Sequence, residues 1–424
     1  MLDRLFALET FGIKLGLDNI SRLCAALDHP ERRFATIHVA GTNGKGSVTA
    51  MVHAALVAAG IRAARYTSPH LMSLAERFVI GDRPVPDDML EEVGTDVLAL
   101  AEALRDRGIL SVTPTFFEVT TAIGFELFRR AGVEVAVIEV GLGGRFDATN
   151  VVQPIAGAIT TIAFDHQQHL GNTLAQIAFE KAGIIKPGMT VVAGALPPDA
   201  MRIVRHASLD RGATLLEAAD APLNVEMQDG RARITVETPG AVYGPLLLAL
   251  RGEHQAANAV VAIRLLEAAQ AHGIRVDQAA IETGLLNAEW PARLELLALP
   301  GGRRVLLDAA HNAEGAAALA SYLRRWHPER PTLVIGIMRD KDVDEILRPL
   351  LPCVSRVIAT AAPTPRALPA ADLAQRISRT ANVIAEPIEA VEHALQMADT
   401  VCVAGSIFLA GAVREALKRR AILT

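Results

Sequence analysis

Cysteine is scarce in this chain: three residues in 424 (Cys24, Cys353 and Cys402), far apart and without partners at metal-ligand spacing. That argues against a disulfide framework or a cysteine zinc site and fits a reducing cytoplasm. The start, Met1-Leu2-Asp3-Arg4, lacks a basic region followed by an apolar core, so no signal peptide is visible. No uninterrupted apolar run reaches the roughly 18 residues of a membrane span. An excess of one charge is missing too. A formal net charge of −5 gives no general attraction to nucleic acid or an anionic membrane, so any phosphate binding must be local. No heptad pattern occurs, which leaves a monomer as the default expectation. What the chain does have is apolar mass, with 51% hydrophobic residues against 21% charged, enough to bury large sheets. Its length is too great for one ordinary core and suggests two domains.

Apolar runs alternate with helical patterns from Phe34 to about Gly188, as expected for a mostly parallel sheet covered on both faces. Phe34 to Ala40, Val133 to Val140 and Ile155 to Phe164 read as strands. Thr173 to Ala182 reads as a helix opened by a Thr173–Gln176 capping box. From Leu196 to Leu250 short alternating pieces suggest an antiparallel appendage, after which a helix from Gln255 to Ala271 returns to the first domain. A second alternating series has strands at Arg303 to Asp308, Thr332 to Ile337, Arg356 to Thr360 and Thr400 to Ala404. The expected architecture is therefore α/β: residues 1–288 as a phosphate-loop domain, 289–295 as a hinge, and 296–424 as a second, Rossmann-like α/β domain.

The most informative stretch is Gly41-Thr42-Asn43-Gly44-Lys45-Gly46-Ser47, between the first strand and a helix expected over Ser47 to Ala59. Strand, glycine loop, lysine, hydroxyl and helix is an arrangement that wraps a nucleotide triphosphate. Small residues let backbone N–H groups close on phosphate oxygens, and the helix N-terminus adds partial positive charge. Lys45 supplies a full charge and a nearby hydroxyl can reach Mg²⁺. The spacing departs from GxxxxGK[ST], because Val39 stands at the first glycine and Gly46 separates Lys45 from Ser47.

Other residues carry two readings each. Glu139, at a strand end before Gly141-Leu-Gly-Gly-Arg145, is placed either to hold Mg²⁺ or to pair with Arg145. His166 follows the next strand at the same edge and is either structural or functional. Lys181 either offsets a helix dipole or, held neutral near phosphates, takes up CO₂ as a carbamate. Thr115 and Glu118 form a capping box, while Thr115 and the neighbouring phenylalanines could line a pocket for a flat ligand. Asp308, His311 and Ser406 stand at strand-to-loop junctions, as caps or turns or as groups facing a ribose or an amine.

Taken together, the motifs HVAGTNGKGS (38–47), YTSPHL (66–71), TFFE (115–118), EVGLGGRFDATN (139–150), ITTIAFDH (159–166), EKAGIIKPG (180–188), GEHQAANA (252–259), PARLE (291–295), LDAAHN (307–312) and VAGSIF (403–408) resemble those of the folylpolyglutamate synthase and dihydrofolate synthase family, within the Mur-type ligases. The resemblance spans almost the whole chain. It implies a two-domain, ATP-dependent amide ligase that adds L-glutamate to dihydropteroate and to reduced folates through an acyl phosphate. ATP and folate would lie in the cleft between the domains.

Position by position, Thr42, Asn43, Gly44, Lys45, Gly46 and Ser47 match the triphosphate cradle. Ser68, Glu139 and His166 match magnesium ligands, with two ions expected. Lys181 matches the carbamylated lysine, and Asn258, Arg293 and Asp308 match nucleotide contacts. His311 and Ser406 fall on the glutamate side. Thr115, Phe146, Asp147 and Ala148 match the pterin pocket, with Thr10 in a segment that would cover it. One departure is visible: Met72 to Arg77 lacks the tyrosine that often precedes Glu-Arg in relatives. Three alternatives stand beside this reading: a folylpolyglutamate synthase only, a Mur enzyme acting on a cell-wall precursor, and a nucleotide-gated binding protein without ligase activity. Against the second, only about 35 residues precede the first strand, too few for a separate uridine-binding domain.

Overall fold

The structure is a computed structural model that describes residues 1–12, 16–377 and 380–420. Its strands are β1 (Ala35–Ala40), β2 (Ala63–Tyr66), β3 (Phe78–Ile80), β4 (Arg83–Pro84), β5 (Val135–Glu139), β6 (Ala156–Ile159), β7 (Thr190–Ala193) and β8 (Thr214–Glu217), then β9 (Leu223–Gln228), β10 (Arg231–Glu237) and β11 (Val242–Arg251). The last six are β12 (Glu295–Ala298), β13 (Arg304–Leu307), β14 (Thr332–Ile335), β15 (Arg356–Ala359), β16 (Asn382–Val383) and β17 (Thr400–Ala404). By internal contacts the chain forms two compact units. The first comprises residues 1–224, 234–246 and 257–288; the second comprises 225–233, 247–256 and 289–424.

The first unit is built on an eight-stranded sheet of order β4-β3-β2-β5-β1-β6-β7-β8. All neighbours from β2 to β8 are parallel. Only the β3–β4 hairpin at one edge runs antiparallel. Parallel strands need both faces covered, and two cores do this. One is aromatic, with Phe34, Tyr66, Phe78, Phe125 and Phe128; the other is aliphatic, with Ile159, Ile177, Ile184, Val191 and Val204. Strand order places β1 at the centre, between β5 and β6, so the loops leaving these three strands emerge side by side.

In the second unit the sheet runs β12-β13-β17-β14-β15-β16, parallel apart from the β12 edge. Its strands show the two-residue side-chain period directly. Leu333, Ile335, Cys402 and Ala404 enter one core, while Val334, Val401 and Val403 enter the other.

Most expected elements are present, with instructive differences. The helix after the glycine loop runs Lys45–Ala58 and so begins two residues earlier than expected. The strand expected over Ile155 to Phe164 stops at Ile159. The antiparallel region is narrower than expected: Pro198–Asp210 is a helix and β8 extends the parallel sheet, leaving β9–β11 as the antiparallel piece. Among the described residues no helix is long and apolar enough to cross a membrane.

The helix Gln278–Asn287 packs tightly on Lys45–Ala58 through Gly284, where an added Cβ would lie 2.4 Å from Ala55 N and 2.5 Å from Ala55 Cα. Backbone cannot yield like a flexible side chain. Gly284→Ala should therefore destabilise the protein by about 1–3 kcal/mol, despite alanine's better helix propensity. Urea denaturation checks this, and an unchanged or higher midpoint would contradict the tight crossing.

Candidate active site

The glycine loop is shaped by contact as well as by backbone freedom. Gly41 (φ +149°) lies so close to Thr160 that a Cβ would come within 1.9 Å of its Oγ1. Gly44 (φ +82°) caps the helix, and a Cβ there would sit 2.5 Å from Asn258 Oδ1. Neither position tolerates a side chain. With the helix starting at Lys45, the first-turn N–H groups and the lysine point at the same end, a ready anion site. Lys45 Nζ donates to Thr42 O at 3.2 Å within the loop. Gly46 and Ser47 are buried in the first turn.

The chain leaving β6 explains why that strand is short. Instead of continuing the sheet it turns to brace the glycine loop. Thr42 N donates to Thr161 O (2.8 Å), Asn43 N to Thr161 Oγ1 (3.0 Å) and Ala163 N to Thr42 Oγ1 (3.1 Å), while Thr160 Oγ1 donates to Asn43 O. Thr160 and Thr161 were not anticipated as site residues. Two adjacent hydroxyls at the end of an apolar run were the available signal.

Lys181 reaches the loop from the helix Leu174–Ala182. Its side chain is only 5% exposed, and Nζ donates to Gly41 O at 2.8 Å. Burial, with the nearby charge of Lys45, lowers its pKa from 10.5 to about 7, against the opposing pull of Asp165 and Asp147. This amine thus exchanges between charged and neutral forms near neutral pH. It is no solvent-exposed dipole compensator.

Glu139 ends β5, buried, and stands in register with Val39 on β1, two residues before Gly41. Arg145, the alternative partner, grips Glu180 through Nη2 (2.6 Å) and Nε (3.2 Å). Ser68 follows β2. His166 follows β6 in a left-handed conformation (φ +49°), its Nε2 3.8 Å from Asp165 Oδ1. One carboxylate, one hydroxyl and one imidazole at neighbouring strand ends suit a Mg²⁺ ion that keeps waters and shares phosphate oxygens. Among the described residues no group of three or more His, Cys, Asp and Glu forms an all-protein metal cage.

The Gly141–Asn150 loop is held by its own polar groups. Asp147 is buried; Oδ2 accepts from Leu142 N (2.8 Å) and Oδ1 from Thr149 N (3.0 Å). Burial raises its pKa, and these bonds oppose the rise. Asn150 Nδ2 donates to Arg145 O (3.0 Å) and Gly183 O (3.1 Å), and Lys186 Nζ donates to Asn150 O (2.9 Å). Ala148 is buried, whereas Phe146 is 37% exposed beneath the Arg145 guanidinium, 4.3 Å from its ring centre.

Thr115 forms the expected capping box with Glu118 at the start of the helix Phe116–Arg130. The side chain of Thr10 and the whole of Ile13 lie outside the described residues. Arg77 was missed: it is buried, donates from Nε to His70 Nδ1 (3.0 Å) and lies over Phe116 (5.1 Å). Burial pushes its guanidinium below the usual range, while Tyr66, Glu9 and Glu139 pull it back. The Glu76-Arg77 pair was the available signal, although nothing local to it marks the arginine as buried.

In the second unit, Asp308, His311 and Ser406 collect at the ends of the paired strands β13 and β17. The two loops are tied by Asp308 N to Val403 O and Gly405 N to Ala310 O, each 3.0 Å. Asp308 is buried and accepts from Leu294 N and Ala310 N (2.9 Å each). Burial raises its pKa, against the pull of Arg293 first. Arg293 sits between two left-handed residues, Ala292 (φ +55°) and Leu294 (φ +48°). His311 Nδ1 is 2.9 Å from Ala309 O, and Ser406 Oγ caps the helix Ile407–Arg419 by accepting from Phe408 N (3.1 Å). The structure thus brings together Thr42–Ser47, Thr160, Lys181 and Asn258 in one unit, and Arg293, Asp308, His311 and Ser406 in the other.

The lowered pKa of Lys181 has a stability signature. Below about pH 7 both folded and unfolded chains hold the proton, and its full burial penalty is present. Between about pH 7 and 10.5 only the unfolded chain keeps it, so stability rises with pH across that window. The stability of the wild type minus that of Lys181→Met, from urea curves, should increase between about pH 7 and 9.5. A constant difference would contradict the buried, low-pKa amine.

Residues 100–266 match the Mur ligase middle domain family, and residues 292–407 match the Mur ligase, glutamate ligase domain family. The dihydrofolate synthase/folylpolyglutamate synthase of Bacillus subtilis is 34% identical, covering 96% of both chains. The folylpolyglutamate synthase of Lacticaseibacillus casei is 36% identical over 94% of this chain and 93% of its own. Among solved structures, Mycobacterium tuberculosis folylpolyglutamate synthase complexed with ADP superposes with a TM-score of 0.91 at 33% identity, covering 98% of each chain. Escherichia coli FolC in complex with DHPP and ADP gives 0.88 at 28% identity, over 98% of this chain and 97% of that one. With likeness of this extent and a phosphate loop built as described, the chain belongs to the dihydrofolate synthase/folylpolyglutamate synthase family of the Mur ligases, which are ATP-dependent ligases.

Proposed function

We propose that this enzyme joins L-glutamate to dihydropteroate and, in a second reaction at the same site, to reduced folates. The observation that carries the reading is the braced loop around Gly41 and Gly44, with Lys45 on its first helical turn and buried Glu139 one strand away. A carboxylate resists amines because it lacks a leaving group. Attack of that carboxylate on the γ-phosphate of ATP makes a mixed anhydride and releases ADP. The glutamate amine then displaces phosphate, leaving the amide. Catalysis of the first step is mainly charge neutralisation and alignment.

In this reading Asn43, Gly44, Lys45 and Gly46 cradle the triphosphate, with Thr42 and Ser47 completing the loop. Asn258, Arg293 and Asp308 hold the nucleotide. Ser68, Glu139 and His166 would hold Mg²⁺, which when bound offsets phosphate charge; two ions are expected. Thr115, Phe146, Asp147 and Ala148 receive the pteroyl group, and His311 and Ser406 serve the incoming glutamate. The neutral amine of Lys181 adds to CO₂, giving a carbamate and a proton, and so turns a cation beside Lys45 into an anion.

Likeness to the Bacillus subtilis enzyme, which bears both names, supports both reactions, and the DHPP held by the E. coli protein supports the first. The Lacticaseibacillus casei relative bears the folylpolyglutamate synthase name alone, so tail extension only is the second reading.

Purified protein with ATP, Mg²⁺ and glutamate, offered dihydropteroate and tetrahydrofolate separately, should yield two products. A single product from tetrahydrofolate would reduce the activity to tail extension. ADP release that ignores both glutamate and the acid would exclude a ligase. Lys45→Ala should lower kcat by on the order of 10²–10³-fold, and Glu139→Ala should raise the Mg²⁺ requirement by about tenfold or more. Unchanged rates in either variant contradict these roles. Lys181→Ala should lose activity that added short carboxylic acids partly restore, because they replace the missing anion.

A further inference from the structure

One buried titratable group behind the phosphate loop has no part in the chemistry above. His38 lies on β1 with no solvent exposure, and its Nε2 is 2.9 Å from Thr149 Oγ1. Thr149 in turn donates its only hydroxyl proton to Asp147 Oδ1. Asp147 also accepts from the N–H groups of Thr149 and Leu142, so both its oxygens act as acceptors and the group is a carboxylate. The Thr149 oxygen then has only lone pairs to offer His38. This network assigns the His38 proton to Nε2 and makes the imidazole a donor. Burial, helped by the charge of Lys186, keeps the ring neutral, with its pKa down at about 3.

The other ring nitrogen, Nδ1, is buried with no hydrogen-bond partner among the described residues. A leucine or methionine would fill the same interior without leaving a bare acceptor there. Packing alone therefore does not account for a histidine, whereas a donor aimed at Thr149 does. The chain His38–Thr149–Asp147–Leu142 runs from the central strand to the start of the Gly141–Asn150 loop, next to Glu139.

We propose that His38 is a positioning residue for the acid substrate, its Nε2–H fixing the Thr149 hydroxyl on Asp147 and thereby the shape of the Gly141–Asn150 loop. The proposal rests on reading that loop as the pteroyl side of the site. A damaged strand would disturb ATP as much as the acid, since β1 also carries the phosphate loop; a broken relay disturbs the acid alone.

Three variants of the full chain test this. His38→Met fills the volume without a donor, His38→Gln restores an N–H near the Nε2 position, and Thr149→Val removes the relay's middle. His38→Met should raise KM for dihydropteroate about tenfold, with KM for ATP within about twofold of wild type; His38→Gln should recover to within about threefold. Thr149→Val should match His38→Met, and the double variant should be no worse than either, because the two act as one chain. Independently of activity, amide exchange at Leu142 and Thr149 should quicken in His38→Met and stay slow in His38→Gln. An unchanged acid KM, equal rises for acid and ATP, additive losses, or exchange that ignores the donor would overturn the role of His38. If His38→Met does not fold, Thr149→Val gives the same readouts. Amide exchange that responds as expected in the variants, with a wild type that never ligates, would defeat the functional reading and leave the relay standing.

Discussion

A lysine with almost no water around it presses its amine on the carbonyl of Gly41, and much of the first unit is arranged to make that contact possible. The carbonyl is available because the loop leaves β1 at a glycine that Thr160 crowds too closely for any side chain. The loop keeps that path because the chain after β6 gives up sheet pairing to hydrogen-bond with it. A triphosphate site needs donors fixed before the anion arrives, since reorganising dipoles afterwards would forfeit much of their value. Here the fixing is done by neighbouring backbone and by two threonine hydroxyls.

The three central strands give this arrangement its logic. In the order β5-β1-β6, the acidic residue, the glycine loop and the bracing segment leave adjacent strands at one sheet edge. Each then solves a different electrostatic problem: Glu139 brings negative charge suited to a cation, the loop brings N–H groups and Lys45, and the Thr160–Ala163 segment supplies rigidity. Asp147 and Asp308 follow a common pattern in their separate units. Both are buried carboxylates held by backbone N–H groups, Asp147 by those of its own loop and Asp308 by Ala310 beside it and Leu294 before β12, and in both burial works against ionisation while those bonds favour it. Such groups order a loop strongly, because a buried carboxylate deprived of its donors is costly.

What could be read in advance followed physical range. Features set by near neighbours in sequence were legible: the strands of the second sheet as apolar runs, the capping boxes at Thr115 and Thr173, and the strand–glycine–helix order around Lys45. Features set by partners far along the chain were not. Ile155 to Phe164 looks apolar enough to continue as a strand, yet its second half is committed to residues about 120 positions earlier. Arg77 gave no local sign of burial, and Lys181 could equally have capped a helix in solvent. Its amine is buried against a carbonyl 140 residues away. The family motifs located Lys181 without explaining its surroundings; distances and burial supply that explanation.

The stretch from Glu180 to Lys186 makes contact with both loops at once: Glu180 holds Arg145, Lys181 holds Gly41, Gly183 O receives Asn150 and Lys186 reaches back to Asn150 O. Inserting or deleting one residue between the Thr173 cap and this stretch would swing Glu180 and Lys181 by about 100° around the helix axis and displace Gly183 and Lys186, which follow directly on its end at Ala182. Point changes on the solvent side of that helix should be absorbed, while length changes should not. Among descendants of this sequence, indels would accordingly accumulate almost anywhere on the surface before they entered these fourteen positions, Thr173 to Lys186.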